Sequence, residues 1–235
     1  MNFFLYAAVL PALILMVYVY SKDRVEKEPF GLLVLLAFWG AMSCFPAIVG
    51  ETVTFYVLDM FMESGTVEYA FFEAFFCVAL VEELCKYFFL QRHTWNSTHF
   101  NCSFDGIVYS VFVSLGFAAL ENVKYLFSYG PGVLISRALL SIPGHMTFSI
   151  FMGLYYSRAR KCAAYGNVEG VSRNRTLALV VAVLLHGFYD FCLMSGSDLL
   201  YGFFFVFVVL LDVVSIRTVR RESAQDTPIE GWQYY

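Results

Sequence analysis

Apolar runs long enough to cross a bilayer recur from one end of this 235-residue sequence to the other, and no other feature narrows the fold so far. A helix rises ~1.5 Å per residue, so roughly 20 apolar residues match a hydrocarbon core about 30 Å thick. Seven such runs are expected to be helical, at residues 3–20, 31–58, 67–90, 105–128, 132–157, 176–194 and 199–216. The second is long enough to tilt or break near Pro46. The expected fold is all-α, a polytopic transmembrane helical bundle of about seven spans. Residues 1–217 form one transmembrane domain and residues 218–235 a short charged tail.

Composition agrees, because 60% hydrophobic residues against 14% charged leaves too little polar surface for a water-soluble globule. A net charge of -4 with no long basic run excludes nucleic acid as a partner, since phosphate binding needs a clustered positive field. Six scattered cysteines with no C-x-x-C pair read as small apolar packers. The first run has neither a basic segment before it nor a small-residue cleavage site, so it reads as a retained span.

Lys and Arg fix the expected orientation, because cytoplasmic loops retain them. Lys22, Arg24, Lys27, Arg92, Arg158, Arg160, Lys161, Arg173, Arg175, Arg217, Arg220 and Arg221 are 12 of the 15, and all fall in alternate loops. Seven spans then put the N-terminus outside and the tail in the cytoplasm, in a multi-pass protein of the cell membrane. Asn96 and Asn101 match the glycosylation pattern, but this topology places them on the cytoplasmic side and they carry no weight.

An ionisable side chain near the bilayer centre costs about 2.5–3.5 kcal/mol on insertion scales, so each one inside a span is a functional suspect. In the third span Glu82 lies one turn before Lys86 on the same face, while Glu83 points about 100° away. The fourth span carries Glu121 followed by Asn122, the fifth His145, and the sixth His186 one turn before Asp190. Carboxylates and imidazoles together supply general bases, general acids or metal ligands. Alone, Glu82, Glu83 and Lys86 also read as a structural ion pair, and either histidine as an interhelical hydrogen bond. Glu51, Asp59, Glu73, Arg137 and Asp212 read as helix-end or packing residues, with Arg137 and Asn122 able to support a site.

Glu82-Glu83-x-x-Lys86, Phe117-x-x-x-Glu121, His145 and His186-x-x-x-Asp190, in this order, resemble the motif set of the PrsW family of intramembrane proteases. That family sits among the CAAX-prenyl endopeptidases and abortive-infection-type membrane proteins. The likeness spans roughly residues 20–195 and includes the Asp23 to Pro29 segment, Phe104-Asp105-Gly106 and Arg137. It implies a membrane endopeptidase acting in regulated intramembrane proteolysis on a single-span, anti-sigma-factor-like substrate. It also implies that a glutamate of the first motif and a histidine of the second activate water, while the last motif's histidine and amide stabilise the oxyanion. On the residues present here, the expectation is that Glu82 activates water, Glu121 and His145 position it or shuttle the proton, and His186, held by Asp190, polarises the scissile carbonyl or protonates the leaving amine.

The second motif ends in Glu121 where the superfamily has His, and the last ends in Asp190 where it has Asn. A metal-free mechanism is preferred; the competing reading places zinc on Glu82, Glu121, His145 and His186. A proton-coupled transporter and a non-catalytic scaffold are the other function classes. Simple helix rulers oppose a single site, for they put Glu82 about 12 Å and Glu121 about 24 Å from the cytoplasmic side.

Overall fold

The structure, a computed structural model, describes residues 2–229, and their regular structure is helical apart from one isolated bridge between Cys102 and Pro228. The chain begins with α1 (Asn2–Lys22), α2 (Phe30–Met42) and α3 (Cys44–Phe61). One continuous helix follows, built from α4 (Val67–Phe72), a π-helical turn Glu73–Ala79 and α5 (Leu80–Thr94). After α6 (Asp105–Tyr129) come a 3-10 turn Pro131–Val133, α7 (Leu134–Ser136) and a second π-helical turn Arg137–Ser141, which runs into α8 (Ile142–Ala164). Long helices α9 (Val168–Met194) and α10 (Asp198–Ala224) complete the bundle.

Six passes are long and apolar enough to cross a membrane: α1, α2 with α3, α6, the stretch 131–164, α9 and α10. The seventh, residues 67–94, has the length but carries Glu68, Glu73, Glu82, Glu83 and Lys86. The chain is therefore a multi-pass membrane protein. The break in the second pass falls at Ser43, three residues before Pro46, with the Ser43 hydroxyl donating to the Gly40 carbonyl at 2.6 Å. Pro46 then sits in the first turn of α3, where a missing N–H costs no intrahelical bond.

Four helices outrun the expected spans, because hydropathy marks where lipid ends and not where the backbone ladder ends. α5 reaches Thr94 instead of residue 90, α8 reaches Ala164 instead of 157, and α9 starts at Val168 instead of 176. There the Asn167 side chain caps the helix by accepting from the Gly170 N–H at 2.8 Å. The last helix runs to Ala224, so the expected tail begins later than 218, and Asp226 and Thr227 bond back to Ser103 and Phe104. Residues 230–235 of that tail lie outside the described residues.

Helix α6 is the hub, with 78% of its most apolar stretch buried against 17% in α10. It packs on α2 through two glycines: a Cβ on Gly40 would collide with the Val113 carbonyl, and one on Gly116 with the Ala37 carbonyl. It meets α8 in the same way, Gly106 against Gly153. In lipid, close backbone approach and packing replace the hydrophobic drive between helices, and small residues permit it. Phe3, Phe30, Phe61, Leu139, Leu199 and Val209, by contrast, are exposed, as side chains facing lipid would be.

One end of the bundle gathers the connections and helix ends that carry the basic residues, Arg24 and Lys27 between α1 and α2 and the other ten in the end turns of helices. Asn101 donates to Glu26 at 3.1 Å, Arg160 caps the carbonyls of Trp95, Ser97 and Phe100, and Ser223 reaches the Lys22 carbonyl. The three Lys and Arg residues away from that end are Lys86, Lys124 and Arg137, in α5, α6 and the π-helical turn before α8.

Candidate active site

Glu82, Glu83 and Lys86 stand in the first two turns of α5, just after the π-helical turn Glu73–Ala79. All three are buried. The Lys86 ammonium donates to Glu82 Oε2 at 2.9 Å and to Glu83 Oε1 at 2.8 Å, and it lies over the Phe117 ring at 4.1 Å. Its third contact is His145 Nδ1 at 3.2 Å. One ammonium thus spends its three N–H bonds on two helices and offsets two buried carboxylates.

From His145 the chain of contacts continues to α6. His145 Nε2 lies 3.1 Å from Glu121 Oε2, which also accepts from Arg137 Nη2 at 2.7 Å. Arg137 Nε donates to Asn122 Oδ1 at 2.8 Å, and the Asn122 amide donates to the Ala8 carbonyl at 2.7 Å. A carboxylate can only accept, so His145 carries its proton on Nε2 and presents a lone pair on Nδ1 to Lys86. His145 is a neutral bridge with both nitrogens spent.

On the other side, His186 Nδ1 lies 2.9 Å from Glu83 Oε1, and His186 Nε2 lies 3.2 Å from Asp190 Oδ2. Both neighbours are carboxylates, which makes the ring a doubly protonated donor between them. It stacks on Phe148 with ring centres 4.9 Å apart, which fixes its plane. Four carboxylates, Glu82, Glu83, Glu121 and Asp190, are thereby interleaved with three cations, Lys86, Arg137 and His186.

All seven residues expected at the site join this one network. The conflict from the helix rulers disappears because α5 ends at Thr94: Glu82 is 12 residues from that end and Glu121 is 16 from Asp105. The offset between them is about 6 Å along the axes instead of 12 Å, and the His145 ring bridges it. Glu51 and Glu73, read from sequence as helix-end or packing residues, and Arg137, read as one of these yet able to support the site, line the cavity wall. Asp59 does hold a structural partner, accepting from the Tyr69 hydroxyl at 2.6 Å.

The network opens on a polar cavity of about 510 Å³ whose wall includes Glu82, Glu121, Arg137, His145, His186 and Asp190. A second, apolar cavity of about 210 Å³ lies between α3, α5 and α6, lined by Phe45, Ile48, Phe117 and Phe127. Glu51, Glu82, Glu121 and Lys124 belong to both walls, so the two spaces adjoin. Glu82 Oε1 accepts no hydrogen bond from the described residues, whereas Glu83 is fully buried and reaches neither cavity.

Donor atoms of Glu82, Glu83, His145 and His186 lie within 4.8 Å of one another, close enough to share a metal ion. Glu83 stands there in place of Glu121, which the sequence reading had assigned to a zinc set; Glu121 is held instead by Arg137 and His145.

Residues 28–214 match a family model described as PrsW family intramembrane metalloprotease. The chain is 35% identical over 215 residues to Protease PrsW of Bacillus subtilis (strain 168), covering 92% of this chain and 93% of that one. It is 32% identical over 226 residues to Protease PrsW of Geobacillus kaustophilus, covering 94% and 93%. For Protease PrsW of Clostridioides difficile the identity is 34% over 210 residues, covering 87% and 84%. No solved structure matches the chain.

Proposed function

This chain belongs to the PrsW family of intramembrane proteases, and on that premise we propose that it cuts a single-span, anti-sigma-factor-like protein of the cell membrane within its polar cavity. It is a peptidase; the substrate and the roles below are our reading. The observation that carries this reading is the placement of Glu82, which keeps one oxygen free on the walls of both cavities while Lys86 holds the other.

A carboxylate fixed in this way can take a proton from a water as the water oxygen bonds to the scissile carbon. When the carbon–nitrogen bond breaks, the same carboxyl returns the proton to the leaving amine, and Glu82 ends the cycle ionised. Glu83 and Lys86 position Glu82. Glu121 and Asp190 hold the two imidazoles in place, His145 linking Lys86 to Glu121 and His186 linking Glu83 to Asp190. The basic loops face the cytoplasm in this reading, and the N-terminus lies outside.

The family description implies a metal ion, and zinc is the ion that these donor types suit. The set Glu82, Glu83, His145 and His186 fits it in donor type and compactness, provided Lys86 gives up its bonds to three of the four. Bound there, zinc would acidify a water and polarise a carbonyl. With the Lys86 charge among these donors, we favour glutamate-driven chemistry without metal.

Co-expression with a tagged single-span reporter tests the reading. Wild type should cleave it, and Glu82→Gln, Glu83→Gln, Glu121→Gln and His186→Ala should not, cleavage being compared at matched amounts of accumulated protein. Cleavage by an accumulated Glu82→Gln protein would refute the role of Glu82.

A further inference from the structure

Hydrolysis in the cavity, as proposed above, needs a donor for the carbonyl oxygen as that atom gains negative charge. Such a donor must keep an unspent N–H or O–H and must already be held in place, because preorganisation is what makes it effective. Backbone N–H groups of membrane helices are committed to their own ladders. His145 and His186 are also committed, each with both ring nitrogens facing a protein partner. Lys86 has spent all three of its N–H bonds and reaches neither cavity wall. Lys124 lines both cavities, but it is exposed and makes no hydrogen bond to the described residues that would fix its ammonium.

Arg137 meets both requirements. Its Nε and Nη2 are tied to Asn122 and Glu121 at 2.8 and 2.7 Å, and its plane lies 3.7 Å from the centre of the Tyr125 ring. These three partners are on α6 within about one turn, so the guanidinium is gripped along one edge and one face. Its Nη1 makes no hydrogen bond to the described residues, and Arg137 lines the same polar cavity as Glu82. The second π-helical turn begins at Arg137 itself, the kind of local helix distortion often found at functional sites.

We infer that Arg137 is a catalytic residue: its free Nη1 binds the scissile carbonyl oxygen as water adds, and then binds the carboxylate that hydrolysis releases. The inference rests on the peptidase reading of the cavity and adds to it the group that receives the oxyanion. In the addition step the water oxygen bonds to carbon, the carbonyl π pair moves onto oxygen beside Arg137, and the water proton goes to Glu82. Collapse restores the carbonyl, breaks the carbon–nitrogen bond and returns the proton to nitrogen; the new carboxylic acid then passes its own proton through Glu82 to the freed amine, so that a carboxylate and an ammonium leave. Arg137 stays protonated throughout, as its chemistry requires.

The test reads binding and turnover separately. An acetylated apolar heptapeptide ending in a free carboxylate, and the same peptide ending in a carboxamide, are titrated into the purified full chain in detergent. Wild type is expected to bind the acid at least 10-fold more tightly than the amide, with that preference gone in Arg137→Gln and partly kept in Arg137→Lys. On the single-span reporter, Arg137→Gln should lose about 100- to 1,000-fold in kcat, the range for one oxyanion donor, with KM changed little and activity partly restored by added guanidinium.

Equal binding of acid and amide by wild type, or no binding of either, overturns the proposal, as does Arg137→Gln turnover within a few-fold of wild type. If Arg137→Gln fails to accumulate, Arg137→Lys carries both measurements, because it keeps a charge beside Glu121 and loses the fork. Because the titration needs no turnover, its failure is distinct from failure of the peptidase reading, which Glu82→Gln reports.

Discussion

Two adjacent carboxylates on α5 have opposite surroundings, and their variants should fail in different ways. Glu83 is sealed in protein and accepts from both Lys86 and His186, so Glu83→Gln leaves two buried cations short of a partner. Removing one member of a buried pair costs about 3–5 kcal/mol, and Glu83→Gln should unfold at markedly lower temperature in a detergent melt. Glu82 shares only Lys86, through one oxygen, and keeps the other on the cavity, so Glu82→Gln, whose amide oxygen can still accept from Lys86, should melt above Glu83→Gln yet lose about 100- to 10,000-fold in turnover. Metal analysis adds a second check. Wild type purified without chelator should hold no stoichiometric zinc, and Lys86→Met, which vacates the space between the donors, should take up more. The seven site residues were legible in sequence because each is an ionisable group that lipid would otherwise penalise. Arg137 sent the same signal from inside the fifth span but read only as a packing residue able to support the site, since its partners on α6 lie 15 and 16 residues away and no spacing rule joins them.

Helix existence and order could be read from hydropathy, but the features that aim the site could not. The π-helical turns at Glu73–Ala79 and Arg137–Ser141 have no signature in hydropathy; at the first, Phe75 lies where a Cβ on Gly187 of α9 would stand. The glycine contacts between α2 and α6 were equally silent, because a glycine in an apolar run does not disclose what lies across from it. Gly116→Val should drive α6 from the Ala37 carbonyl and cost about 1–3 kcal/mol, measurable as a lower melting temperature. The α1–α2 connection makes a separate prediction. Glu28, with Asp23, Asp105 and Asp226 nearby and Lys27 the adjacent cation, is pushed up to about 7, burial outweighing the other influences. The folded protein therefore holds a proton that the unfolded chain has already released, so stability falls as pH rises from the ordinary glutamate value of 4.5 through about 7. Hydrogen exchange at residues 23–29, corrected for intrinsic rates, should speed up between pH 5.5 and 8, and Glu28→Gln should flatten that response.

Across the whole molecule, charge is sorted into two places: twelve basic residues on the connections and helix ends at one end of the bundle, and a nearly balanced cluster in the interior. The first is the kind of asymmetry that would set how a chain is threaded, and the second is tolerated in lipid because nearly every charge has a partner. Between that interior and the outside lies the apolar hollow of α3, α5 and α6, where Phe45 and Phe127 are exposed. A compound that occupies this hollow would arrive dissolved in hydrocarbon, not in water. Its potency would then follow its mole fraction in the bilayer, so adding empty vesicles at a constant total dose should weaken inhibition by dilution into the extra lipid.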